Sequence, residues 1–223
     1  MVFPVIMFPA AILFALAELL IPELARCRAA GSGLRIQYLA GKSLKIALVY
    51  GAVCGGVIHL LAQPLCAWLY PGTEVADHLK LYSLLIPMLY CDAIVDAMVK
   101  GLGQQTASVR YNIFTSAMDV ALLFLLLPRY GMGGYFISFL ITHLINFCLS
   151  LRRLLRIARI RVPFSLPALT VSAWLLGLFG GGIPQSGNLR LAGFLGIFFS
   201  TATLFGVLSR QDLRWLRGLI KKK

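Results

Sequence analysis

This chain is short of acid. Its 223 residues include eight Asp and Glu against 21 Lys and Arg, and charged residues make up only 13% of the whole. Soluble domains carry about 25% charged residues, so too few are present here to clothe a water-facing surface. Catalytic frames are missing as well. No HExxH, GxSxG or Walker loop occurs, which removes the usual settings for zinc hydrolysis, acyl transfer and nucleotide-driven work. The five cysteines (Cys27, Cys54, Cys66, Cys91 and Cys148) show no CxxC or CxxH spacing. Thiols set among apolar neighbours read as packing rather than as a metal or redox centre. The alternation of a transmembrane barrel strand is also absent.

What the chain has instead is apolar length. Hydrophobic residues make up 59% of it, against about 45–50% in soluble proteins. Seven apolar stretches stand out, near residues 2–25, 46–70, 81–99, 111–128, 131–151, 164–183 and 191–209. Each is close to the twenty or so residues that a helix needs to cross the hydrocarbon. The fold class expected is an all-α polytopic membrane bundle of about seven transmembrane helices. Residues 1–210 form the membrane lobe and 211–223 a basic cytoplasmic tail.

The basic residues orient it. Eighteen of the 21 fall in four alternate segments: the connection after the first stretch (Arg26, Arg28, Arg35, Lys42, Lys45), Lys100 with Arg110, the run Arg152 to Arg161, and the tail from Arg210. The other connections hold Lys80, Arg129 and Arg190, one each. The positive-inside rule therefore places the N-terminus outside and the C-terminus in the cytoplasm. The net charge of +13 is accounted for by this topology signal, and nucleic acid is not an expected partner. The first stretch has no charged lead-in and is too long for a signal peptide. A first helix starting at Met1 with its N-terminus outside reads as the end of something longer. Two basic amphipathic stretches, around Arg152, Arg156 and Arg159 and along Arg210, Arg214, Arg217 and Lys221 with Trp215, read as surface helices on anionic lipid headgroups.

The few acids then matter most. Glu18, Asp92, Asp96 and Asp119 lie within apolar stretches with no Lys or Arg at comparable depth. Each costs about 2.5–3.5 kcal/mol at a helix centre facing lipid. All four are expected to face protein or water. Glu23 lies near Arg26 and reads as an interfacial carboxylate. Pro22 removes the donor for the Glu18 carbonyl and is a candidate hinge, as is Pro87. Asp92, Asp96 and Lys100 follow at i, i+4, i+8 and share a face. Two readings stay open: a structural ladder with Lys100 paired to Asp96, or a polar wall of a transport cavity. Asp119 follows Thr115 and Ser116 by about a turn. Carboxylate plus hydroxyl is oxygen ligation that a small hard cation accepts; the alternative is a hydrogen bond from Asp119 to His143 or Asn146. His59 with Gln63, and His143 with Asn146, read as interhelical hydrogen bonds. Gly51–Gly55 and Gly177–Gly181 are GxxxG packing faces, and Gly180–Asn188 is an outside loop.

Three phrases carry a resemblance: FPAAILFALAELLIPELAR at Phe8–Arg26, KGLGQQ at Lys100–Gln105, and LPRYGMGGYFI at Leu127–Ile137. In this order they resemble the C-terminal half of the stage V sporulation protein B family. These are polysaccharide-biosynthesis flippases of the multidrug/oligosaccharidyl-lipid/polysaccharide (MOP) exporter superfamily. The likeness covers most of residues 1–155. It implies one lobe of a two-lobed bacterial plasma-membrane transporter, with the N-terminal lobe missing, and alternating access to a lipid-linked sugar for envelope or spore-cortex assembly. It also implies a coupling monovalent cation or proton, and no enzymatic step or other cofactor. Glu18, Asp92, Asp96, Asp119 and Thr115 would line the cavity or couple the ion, while Lys100 and Arg110 would gate or contact phosphate. The same resemblance admits a multidrug/cation antiporter lobe. A membrane lipid-phosphate enzyme using Asp92 and Asp96 with a divalent metal, or an inactive truncated remnant, are the readings of other classes.

Overall fold

A computed structural model describes residues 2–71, 75–159 and 187–204, with Val171 and Leu175 as isolated helical positions. Among the described residues the chain is helical and contains no strand. The helices are α1 (Val2–Ala29), α2 (Gly33–Leu69), α3 (Ala76–Ser83), α4 (Ile86–Gly101), α5 (Gln105–Ala158) and α6 (Gly187–Leu204). Three of them are long and apolar enough to cross a membrane, or four if the bent pair α3–α4 is one span. Most of the expected stretch 164–183, the end of 191–209, the 180–186 part of the outside loop, Gly177–Gly181 and the basic tail lie outside the described residues.

The elements depart from the apolar stretches in three places. First, the basic connection after α1 is not a loop. Only Ala30–Ser32 separates α1 from α2, so Arg35, Lys42 and Lys45 sit on the first turns of α2. Lys and Arg are good helix formers, and a helix does not stop where hydropathy does. The turn itself is a Schellman cap: Gly31 takes φ 66° and Ser32 N–H donates to the Cys27 carbonyl at 2.9 Å. Gly103 (φ 66°) ends α4 in the same way, with Gln104 N–H on the Val99 carbonyl at 3.0 Å.

Second, the stretch 81–99 is not one straight span. The chain bends by 52° between α3 and α4. Pro87 falls in the first turn of α4, where a helix needs no N–H from it. The Lys80 carbonyl receives the Ser83 hydroxyl at 2.6 Å, and His59 Nδ1 lies 3.0 Å from Ser83 Oγ and 3.2 Å from that carbonyl. His59 thus satisfies the bend from α2, while Gln63 is exposed.

Third, the stretches 111–128 and 131–151 belong to one helical element that folds back on itself. Straight, its 54 residues would run about 80 Å, nearly three hydrocarbon thicknesses. It breaks at Gly131 (φ 55°, ψ −133°), a backbone conformation that glycine tolerates. A Cβ on Gly134 would overlap the Leu126 carbonyl, so the two arms meet at backbone distance beside the turn.

Helix α4 is the axis, packed by α1, α2 and the α5 hairpin. Ile86, Ile94, Val95, Met98 and Val99 on it are fully buried. Contact is close because glycine permits it: a Cβ on Gly51 would lie 2.8 Å from Pro87 Cα, on Gly55 2.9 Å from the Ser83 carbonyl, and on Gly101 2.9 Å from the Ile21 carbonyl. The Gly51–Gly55 face is therefore internal packing against α3 and α4. Two tyrosines fasten α1: Tyr90 OH donates to the Ile6 carbonyl at 2.7 Å and Tyr50 OH to the Pro9 carbonyl at 2.9 Å. Gly51→Val should lower stability in detergent by about 1–3 kcal/mol, since backbone cannot give way to a new side chain. Gly41→Ala, which meets open space, should not. Thermal melting of the two variants checks this.

Candidate functional site

The second arm of α5 carries a polar stripe through an apolar bundle. Ser138, Thr142 and Asn146 recur at i, i+4 and i+8, with His143 and Arg153 beside them. All of them except His143 find a hydrogen-bond partner on a facing element. Ser138 Oγ donates to Asp119 Oδ1 at 2.6 Å and Thr142 Oγ1 approaches the same oxygen at 3.4 Å. These bonds tie the arms of the hairpin together. Asn146 Nδ2 donates to Asp92 Oδ2 at 3.3 Å, which ties the hairpin to α4. Arg153 donates to Gln104 Oε1 at the basic end.

The seam is only partly satisfied. Asp92 Oδ1, Asn146 Oδ1 and His143 Nδ1 are buried atoms without a hydrogen-bond partner among the described residues. An unpaired buried acceptor or donor costs about 1–3 kcal/mol, so three such atoms at neighbouring positions invite a proton or a water. His143 packs on Phe139 with centroids 4.1 Å apart. Phe139 belongs to an aromatic group with Phe3, Tyr82 and Tyr135 that seats the hairpin against α1 and α3.

The expected site residues divide into three sets. Asp92 and Asp119 lie in the seam. Asp119 takes its bonds from Ser138 and Thr142, however, and Asn146 serves Asp92 instead. Thr115 is buried, but its hydroxyl donates to the Tyr111 carbonyl at 2.9 Å and the Asn112 carbonyl at 3.2 Å, one turn back along its own helix. Asp96 and Lys100 form the ladder at 2.6 Å, and Ser108 adds a hydroxyl to Asp96. Lys100 thereby fills the place that a cation would take beside Asp96. Glu23 pairs with Arg35 at 2.5 Å and lies 4.0 Å from Arg26, so its main partner comes from α2.

Glu18, Pro22 and Arg110 stand apart. Glu18 and Pro22 are exposed on the outer face of α1, which runs as one helix through Pro22. Exposed Phe14 and Leu19 flank the carboxylate. Arg110 is exposed on the first arm of α5. No group of three or more His, Cys, Asp and Glu able to hold a metal ion occurs among the described residues.

Sequence reasoning missed Ser138, Thr142, Ser108, Gln104 and Arg153. The i, i+4, i+8 spacing of Ser138, Thr142 and Asn146 was the available signal. Comparison with protein-family models and with curated proteins returns no match. Asn146→Leu should destabilise the protein by about 1–3 kcal/mol, because it strands the buried Asp92 carboxylate. Adding Asp92→Leu should recover part of that loss, since both polar partners are then gone. Melting of single and double variants measures the coupling; strictly additive losses would separate the two residues.

Proposed function

We propose that the chain is the C-terminal lobe of a flippase or exporter for a lipid-linked oligosaccharide or polysaccharide precursor, working by alternating access in the bacterial plasma membrane. The seam between α4 and the α5 hairpin is the observation that carries this reading. A lobe that only filled the bilayer would have no use for carboxylates, a histidine and an asparagine with unpaired atoms inside it. The exposed Glu18 face of α1 supports the second half of the reading. A carboxylate amid exposed apolar side chains needs a wet cavity or a protein cover, and an N-terminal lobe across a central cavity would supply both.

In this reading there are seven spans: α1, α2, the bent α3–α4 pair, the two arms of α5, and the stretches 164–183 and 191–209. The N-terminus is outside and the basic end, with Arg28, Lys100, Arg110 and Arg156, lies in the cytoplasm. A proton or monovalent cation moving onto the Asp92–Asn146 pair changes how tightly the hairpin docks on α4, and one moving onto the Asp119–Ser138 pair changes how tightly its two arms close. That is a differential interaction able to bias two states of a lobe. A reporter fused to the C-terminus should be active only in the cytoplasm, and activity outside the cell would overturn the orientation.

Transport supplies the functional test. The chain alone in vesicles should not flip a labelled lipid-linked sugar, and adding a separate N-terminal lobe should restore flipping. In the complete protein, Asp119→Asn keeps an acceptor for Ser138 and Thr142 but loses the charge. It should leave expression intact and abolish dependence on the ion or pH gradient. Unchanged gradient dependence at matched expression would remove Asp119 from coupling.

A further inference from the structure

Two arginines reach adjacent residues of one turn at the basic end. The turn is Gly103–Gln104, which closes α4 and opens α5. Arg28, from the last turn of α1, lies directly on Gly103: a Cβ there would overlap its Nη1 and sit 3.3 Å from its Cζ. Arg153, from the second arm of α5, donates to the side chain of Gln104 next to it. Three elements distant in sequence thus bring two arginines to adjacent residues.

Neither arginine has a carboxylate among the described residues, and the described acids are otherwise placed. Glu23 is held by Arg35 and Arg26, Asp77 by Lys80, and Asp96 by Lys100. Asp92 is bonded by Asn146, and Asp119 by Ser138. Glu18 is on the outer face of α1. In addition, Arg153 Nε is buried with no partner among the described residues. Two cations at one turn repel each other, and a buried guanidinium donor left unbonded is costly. An anion with several oxygens removes both penalties at once. Guanidinium forks match phosphate oxygens in a planar, two-point fashion, and the N-terminus of α5 adds to the positive potential at the same place.

We propose that Arg28 and Arg153, at the Gly103–Gln104 turn, form a binding site for a phosphate monoester or diphosphate, either on a lipid headgroup or free in solution. The site uses neither Lys100 nor Arg110, the residues expected from the sequence to contact phosphate. It does not depend on the transport reading, because a chain that flips nothing would still bind the phosphate.

The test uses the full purified chain in detergent, titrated with dioctanoyl phosphatidate in one arm and inorganic pyrophosphate in the other, with dioctanoyl phosphatidylcholine as the zwitterionic control. The wild-type chain should bind phosphatidate, pyrophosphate or both, and the control lipid far more weakly. Binding of pyrophosphate shows that the phosphate alone suffices; binding of phosphatidate alone assigns the ligand to lipid. Arg28→Gln and Arg153→Gln should each weaken binding by about tenfold or more, and Arg153→Lys should weaken it while keeping the charge. Arg129→Gln, beside the Gly131 turn, should bind as wild type. Arg28 is exposed, so its variant keeps the test decisive if Arg153→Gln fails to fold. Absence of binding to both probes overturns the proposal. So does equal affinity in Arg28→Gln, or an equal loss in Arg129→Gln, which would mean attraction to net charge only.

Discussion

In lipid, a helix gains little by leaving one apolar surrounding for another, so close packing and hydrogen bonds must hold a bundle together. Here that requirement falls on α4. It is enclosed by α1, α2 and the α5 hairpin, and its neighbours approach at backbone distance through Gly51, Gly55 and Gly101. The bend before Pro87 aims α4 into this position. The hydroxyls of Tyr90 and Tyr50 then fix α1 alongside it. Asp92 and Asp96, two of the acids set in the apolar stretches, lie on this one helix.

The seam follows from that arrangement. Asp92 points from α4 toward the hairpin, where Asn146 meets it, and Asp96 one turn later is met by Lys100 and Ser108. The acids therefore differ in kind. Asp96 is balanced by the Lys100 ammonium. Among the described residues Asp92 and Asp119 have only neutral partners, and Asp92 Oδ1 and Asn146 Oδ1 have none. An imperfectly satisfied group in a low-dielectric interior is sensitive to any proton or ion that reaches it. The same contrast holds at the basic end, where Arg35 and Lys100 are paired with carboxylates and Arg28 and Arg153 have none among the described residues.

Much of this was legible along the chain. Helical class and membrane character follow from the length and uniformity of the apolar stretches. The Asp96–Lys100 pair follows from their i, i+4 spacing on one helix, and an interruption beside residues 129–130 from the gap between the stretches 111–128 and 131–151, although Gly131 itself falls inside the second stretch. The partners of Asp119 were not legible in the same way. Thr115 is one turn away in sequence, yet its hydroxyl returns to its own backbone, as threonine in a helix commonly does. Ser138 and Thr142 reach Asp119 only because the hairpin closes.

Local rules thus determined which segments are helical, where they stop and which residues share a face, since propensity, capping and periodicity act within a few residues. Tertiary structure decided which face meets which. Asn146 belongs to Asp92 rather than to Asp119, Glu23 belongs to Arg35 on the next helix, and Arg28 from α1 and Arg153 from α5 arrive at one turn. The physical reason is sequence separation: the Glu23–Arg35 pairing already spans 12 residues of chain and the Asp92–Asn146 pairing 54. Such distances are bridged by the packing of α1, α4 and the α5 hairpin, and no single segment carries a record of them.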